Sequence, residues 1–246
     1  MSTLHRGTAF EERSRKVLQK HLSMTLRRVG GKSDGGIDLL GWWWLPPLNV
    51  SDHKAPRRRL RVLAQCKAEK KKTSPKYVRE MEGVLHRYIS LLPSLSSPYE
   101  PPNAATDQLT HSSFQPSQHP LVALLISESP FTKSTVLRAQ SSPVPFFLLH
   151  LPPVPPPTGT FDPHDEAHEW VGTAVWNPAL AGTRGLLGGE MEARWERSVN
   201  GGGRPGLWWR NCKLNNWTPE SGSVETEDLN LQHEDLLLED LARDAT

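Results

Sequence analysis

The sequence predicts an α/β domain in which helices and strands alternate and the later strands run parallel. Three observations predict it: an apolar stripe at helical spacing near the amino terminus, a two-residue alternation in Leu60–Lys67, and two short apolar stretches joined by a helix-forming segment. With 246 residues, 36% of them hydrophobic, the chain can bury the core of one ordinary domain with extensions. Its 2 Cys exclude a disulfide-built scaffold and repeated zinc modules. The longest apolar stretches, Leu121–Ile126 and Phe146–Leu151, fall far short of the roughly 20 residues that span a bilayer, so no membrane span is expected.

The first helix is expected from about Phe10 to Leu22, because Phe10, Val17, Leu18 and Leu22 recur at helical spacing. Thr8 followed by Glu11 fits a capping box at its start. Glu11 lies seven and eleven residues from Leu18 and Leu22 and shares their buried side, whereas Glu12 runs with Lys16 on the wet side. The Arg-rich opening carries both glutamates and this globular pattern, so it does not read as a targeting peptide.

Gly30-Gly31 and Gly35-Gly36 bracket a turn, and Ile37 to about Trp44 then reads as a strand. Three prolines make Leu45–Arg59 a loop. Leu60–Lys67 is the next strand, with Leu60, Val62, Ala64 and Cys66 on one face and Arg61, Leu63, Gln65 and Lys67 on the other. Ser74-Pro75 opens a helix whose stripe of Val78, Met81, Leu85, Tyr88 and Leu92 ends near Leu92. Leu121–Ser127 and Phe146–Leu151 read as buried strands around a helix at Thr132–Gln140, an order that favours parallel pairing.

This divides the chain into an α/β domain over residues 1–151, with a flexible insertion at about 93–120, then a spacer and extension over 152–217. The spacer is the extended run Pro152–Pro157, and the Trp-rich segment beyond it either completes the fold or packs on it. Residues 218–246 form an acidic tail of disordered composition.

Charge is split along the chain. Residues 1–90 hold 20 Lys+Arg against 8 Asp+Glu, a net of +12, and the remainder carries a net of −10. A basic half of this kind suits a polyanion, of which nucleic acid is the usual one. Two runs carry much of it, Arg57-Arg58-Arg59 and Lys70-Lys71-Lys72, and both are candidate phosphate contacts. Trp42, Trp43 and Trp44 could stack bases, although core packing accounts better for at least two of them.

The candidate site combines Glu11, Asp38, Gln65, Cys66 and Lys67. Phosphodiester hydrolysis needs a hard cation held by oxygens, a water made nucleophilic, and a positive charge near the phosphate. Asp38 supplies a carboxylate, with the Gln65 side-chain carbonyl and the Cys66 backbone carbonyl as further oxygens for Mg2+ or Mn2+. Lys67 would position water and offset charge on phosphate, and Glu11 would assist from the helix. Each has a plainer alternative: a cap for Glu11, a turn for Asp38, a strand end for Lys67. Cys66 faces away from Gln65 and Lys67 and reads as a small core residue rather than a nucleophile.

Phe10-Glu11, the glycine-rich stretch ending in Gly35-Gly36-Ile37-Asp38-Leu39, and Gln65-Cys66-Lys67 resemble the three motifs of the PD-(D/E)xK nucleases, in their Mrr-like restriction-endonuclease branch. The similarity continues through Met81-Glu82-Gly83 and Leu121–Ser127 and covers about residues 7–151. It implies a restriction-endonuclease-like core, a mixed central sheet flanked by helices, and a magnesium-dependent hydrolase acting on DNA. Gln65 stands where a carboxylate is usual, a neutral amide common in this branch. With Asn177-Pro178 and Arg194–Leu214, the whole chain resembles the fungal mitochondrial family called required for respiratory growth protein seven. That resemblance implies a mitochondrial location and a part in respiratory growth, and the restriction-endonuclease likeness makes genome maintenance the matching task. A binding factor that kept the fold and lost turnover is the alternative, and a scaffold on ribosomal RNA or a membrane surface is a third. Nothing in the helical patterns specifies an oligomer.

His164 and His168 lie one helical turn apart, but the glutamate between them is misplaced for a zinc helix. Gly201-Gly202-Gly203 lacks the ending of a phosphate-cradling loop and reads as a turn.

Overall fold

The computed structural model describes residues 3–29, 36–46, 57–95, 119–153, 171–197 and 203–219. The heart of the expected insertion, most of the proline spacer, His164, His168, Gly201, Gly202 and nearly all of the acidic tail lie outside them.

A six-stranded mixed sheet forms the centre. Helix α1 (Thr3–Leu22) leads into β1 (Met24–Arg28), β2 (Leu39–Leu45) and β3 (Arg58–Lys67), followed by α2 (Pro75–Leu95), β4 (Leu121–Ser127), α3 (Lys133–Gln140) and β5 (Phe146–His150). Then come β6 (Thr173–Trp176), α4 (Pro178–Ala181), β7 (Met191–Arg197), β8 (Gly203–Trp209) and β9 (Cys212–Lys213). The sheet order is β1-β2-β3-β4-β5-β6. β3, β4 and β5 are mutually parallel, as the helical crossovers require, and the outer pairings are antiparallel.

Each face of the sheet is covered. On one, Phe10, Val17, Leu18 and Leu22 of α1 meet Leu39, Trp43, Leu60, Val62, Val122 and Phe147. On the other, Val78, Met81, Leu85 and Tyr88 of α2 and Ala139 of α3 meet Leu40, Leu63, Leu125 and Leu148. The alternation in β3 therefore divides its side chains between the faces as expected, and each fully buried Leu contributes about 1.5–3 kcal/mol. Trp43 is wholly buried, with its ring 6.3 Å from Phe147 and 5.8 Å from Trp176.

Several expectations are corrected. Helix α1 begins at Thr3, so Thr8 and Glu11 lie inside it and no capping box forms. The added turn is anchored by Arg6, whose Nε donates to Glu128 Oε2 at 3.1 Å. Strand β1 was not expected; Met24 and Leu26 point inward while Thr25 and Arg27 alternate outward, a pattern only five residues long. Gly41 of β2 lies so close to β1 that a Cβ there would stand 2.8 Å from Leu26 Cα. β3 starts two residues before Leu60, and α2 runs three residues past Leu92 through Pro93.

The segment after the spacer does both things open to it. β6 pairs antiparallel with β5 and completes the sheet, while β7, β8 and β9 form a second small sheet whose Met191, Leu207 and Trp209 join the α1 face. Asn177 is the joint: its Oδ1 accepts from Phe146 N at 2.9 Å and caps α4 through Leu180 N at 3.0 Å, while Nδ2 donates to the Val144 carbonyl at 2.8 Å. A second tie closes the molecule. Ser23, at φ 55 just beyond α1, donates its N–H to Asn216 Oδ1 at 2.7 Å and accepts at Oγ from Trp217 N at 3.0 Å.

Among the described residues, no helix is long and apolar enough to cross a membrane.

Candidate functional site

The carboxyl end of β3 carries Gln65, Cys66 and Lys67, three of the residues that the sequence singled out, at the place where open α/β sheets leave a crevice for ligands. β2 runs antiparallel to β3, and its backbone ladder extends one step past Leu39: Asp38 N donates to Ala64 O at 2.9 Å. That step sets Asp38 beside Gln65. Beyond it β2 has ended, so the Cys66 N–H has no backbone partner on that side and is taken by Asp38 Oδ2 at 2.6 Å. The Cys66 carbonyl shares that edge by strand geometry.

Gln65 is 4% exposed, and its Oε1 has no hydrogen-bond partner among the described residues. A buried carbonyl oxygen left so costs about 1–3 kcal/mol. Gly36, at φ +85, passes close enough that a Cβ there would lie 3.2 Å from Gln65 Nε2. The positive φ favours glycine, and the turn packs closely against the amide.

Lys67 is half-buried, and its Nζ lies 4.8 Å from the centre of the Tyr77 ring. Tyr77 comes from the first turn of α2, where Lys76 Nζ also lies 5.8 Å from the ring. The hydroxyl donates to Glu69, and that bond pushes the phenol up to about 12. The Lys67 carbonyl accepts from Glu128 N at 2.9 Å, which fixes the backbone beneath it. Lys70, Lys71 and Lys72 follow as an exposed run.

Glu11 comes in from α1 with its side chain 15% exposed, but its Oε2 accepts from Arg28 Nε at 2.7 Å. The expected assistant is thus committed to an ion pair at the end of β1. Cys66 lies on the α1 face, where burial pushes its thiol well up; the Asp38 charge adds to this, the Ser14 hydroxyl opposes it, and the charges of Glu11 and Lys67 act in opposite senses. The high thiol value leaves Cys66 protonated and unreactive, in keeping with its reading as a core residue.

The arginine run stands elsewhere. β3 has 10 residues, about 30 Å at roughly 3.3 Å per residue, and Arg58 and Lys67 are its two ends. Arg57 lies 4.4 Å over the Trp217 ring, Arg59 lies 5.0 Å over Trp42, and Arg58 Nη2 donates to the Leu186 carbonyl at 3.2 Å. Of the two basic runs, only the lysines follow directly on the carboxyl end of β3 and Lys67. Trp42 and Trp43 are buried, as packing favoured, and Trp44 is half-buried. Sequence reading missed Arg28 and Tyr77 as parts of the site. The aromatic in the first turn of a helix that follows a lysine run was the available signal for Tyr77.

Among the described residues, no three His, Cys, Asp or Glu side chains come together to hold a metal. The donors present are one carboxylate, the unpaired Gln65 oxygen and the Cys66 carbonyl. An all-oxygen set with few protein ligands suits a hard cation such as Mg2+, which keeps several of its waters.

Residues 2–114 match the family model described as required for respiratory growth protein 7. An uncharacterized mitochondrial protein of Schizosaccharomyces pombe is 38% identical over 87 residues, 35% of this chain and 32% of that protein. The mitochondrial required for respiratory growth protein 7 of Saccharomyces cerevisiae is 32% identical over 124 residues, 36% of this chain and 50% of that protein. The chain thus spans about half the length, or less, of the relatives it matches. Both relatives are named mitochondrial, the location that the sequence resemblance implies. No solved structure matches the chain.

Proposed function

We propose that this chain is a restriction-endonuclease-like, PD-(D/E)xK nuclease of the mitochondrion that hydrolyses phosphodiester bonds in DNA and so serves genome maintenance and respiratory growth. The observation that carries the reading is the buried Oε1 of Gln65 beside Asp38 at the carboxyl end of β3, which has no partner among the described residues. An amide oxygen kept without a partner at a stability cost has a ligand as its simplest explanation.

Asp38, Gln65 Oε1 and the Cys66 carbonyl would hold Mg2+ or Mn2+. Bound there, the cation would acidify a water and offset charge on the phosphate. The ammonium of Lys67 stands on the same strand two residues from Gln65, where it balances negative charge as it grows on a phosphate oxygen. Tyr77 holds that ammonium by its ring face. The exposed Lys70, Lys71 and Lys72 offer the sugar–phosphate chain a sequence-independent footing, each neutralised phosphate adding about 0.9 to the salt slope of duplex binding. The mitochondrial names of the relatives support the location, and the respiratory-growth name supports the process.

The test is to incubate the purified chain with linear and branched DNA plus Mg2+ or Mn2+, beside an Asp38→Ala, Lys67→Ala double variant. Cleavage by the parent and not by the variant is the expected result. The second reading is a binding factor without turnover, and the Glu11–Arg28 pair favours it, because it withdraws the second carboxylate. Salt-sensitive binding by both proteins without cleavage would establish that reading and remove the first.

A further inference from the structure

The sheet face at the far end of β3 carries interleaved arginines and tryptophans that hydrolysis at Asp38 does not use. Pairing sets Trp44 opposite Arg59 and Trp42 opposite Arg61, and strand parity puts these four on one face. Arg59 and Arg61 lie 5.0 and 4.6 Å over Trp42, which with Arg61 forms a buried base. The outer layer is Arg57 over Trp217 at 4.4 Å, with Trp217 edge-on to Trp44 at 5.7 Å. Arg57 is exposed, and Trp217 is 37% exposed.

The outer rings are held in place. Trp44 Nε1 donates to Thr25 Oγ1 at 2.7 Å, Trp217 N donates to Ser23 Oγ at 3.0 Å, and Asn216 Nδ2 donates to the Gln19 carbonyl at 2.8 Å. An indole fixed by its backbone and left open to water offers stacking area at little entropic cost.

We infer that Arg57, Trp217, Trp44 and Arg59 form a second DNA contact, one that holds single-stranded DNA by stacking bases on the indoles and pairing phosphates with the guanidiniums. Stacking needs bases that are not already stacked on a duplex, and every base has a face to offer, so the platform selects for single strands and not for sequence. The net charge of +12 over residues 1–90 favours a polyanion over an apolar or basic protein surface. The platform lies about 30 Å from Lys67, roughly nine nucleotides of a stacked strand at about 3.4 Å each. The inference goes beyond the nuclease reading and needs no cleavage.

The experiment titrates the full chain with an oligo(dT) of about 15 nucleotides, long enough to exceed that reach, with a duplex of equal length and with oligo(U), reading anisotropy and tryptophan emission. The parent and the Asp38→Ala, Lys67→Ala variant should both bind oligo(dT) with quenched emission, more tightly than duplex or oligo(U). An Arg57→Gln, Trp217→Leu variant should lose about ten-fold or more, the loss of one stacked base. Arg57→Gln alone should lower the salt slope by about 0.7. Trp217→Phe should restore binding to within a few-fold, which separates stacking from folding. Unchanged oligo(dT) binding by the Arg57→Gln, Trp217→Leu variant would overturn the inference, as would equal loss with Phe or Leu at 217, or tighter binding of duplex or oligo(U). Absence of cleavage would bear on the Asp38 site alone.

Discussion

At the amino end of β3, Arg57 and Arg59 lie over tryptophan rings, whereas at the carboxyl end Lys67 lies over Tyr77 and Gln65 keeps an oxygen without a partner among the described residues. Both ends present positive charge from one strand. They differ in what remains to be satisfied. At the first, guanidinium and indole meet each other, so a ligand adds contacts to a finished arrangement. At the second, one polar atom is short of a bond, so a ligand completes the arrangement. The difference separates a surface suited to holding from a site suited to reacting, and substitutions can push on it from either side.

The largest effect should come from the core that both ends share. Trp43→Ala removes a wholly buried indole and should cost about 3–5 kcal/mol in urea unfolding. Single-strand binding and cleavage should then fall together; survival of either at full strength would show that the two ends do not depend on a common core.

Gln65→Leu should act in the opposite sense. It removes the unpaired oxygen while keeping volume, and should raise stability by about 1–3 kcal/mol while abolishing cleavage. A fall in the urea midpoint would mean the amide is satisfied in solution, and the contrast between the ends would collapse. Arg57→Gln, at a finished and exposed contact, should change stability by no more than about 1 kcal/mol.

The smallest effect separates the two cysteines. With its thiol pushed up by burial and by Asp38, Cys66 should resist a thiol reagent through pH 7 to 9 while exposed Cys212 reacts. The sign follows from linkage: a folded value above the unfolded one gives stability that is full below about pH 8.5 and is lost as pH rises toward the folded value. Melting temperature measured against pH should therefore fall on the alkaline side for the parent and less for Cys66→Ala.

Much of this was legible in the residues. The two-residue alternation of Leu60–Lys67 gave its faces, and the apolar stretches at Leu121 and Phe146 gave the parallel strands, because burial on both faces leaves an unbroken run. That Gln65 and Lys67 share a face of β3 followed from the same parity, whereas the contact of Asp38 with the Cys66 N–H depends on the register between two strands. The start of α1 was misread because Thr8-x-x-Glu11 is a local signal, while the turn before it is held by Arg6 reaching Glu128, a partner 122 residues away. β1 and β6 are five and four residues long, too short to show a period, and exist because the sheet edges accept them. The commitment of Glu11 to Arg28 was invisible for the same reason: Arg28 becomes its neighbour only once β1 is in the sheet.

The tie between Ser23 and Asn216 carries a consequence for how the chain acquires its shape. The end of α1 is closed by a side chain 193 residues downstream. On a ribosome adding roughly 5–20 residues per second, that partner arrives about 10–40 s later. Until then the first helix has an unfinished end, and the small sheet that covers it has not been made. Chain growth therefore leaves one apolar flank of the nascent domain bare until the residues of the small sheet are made.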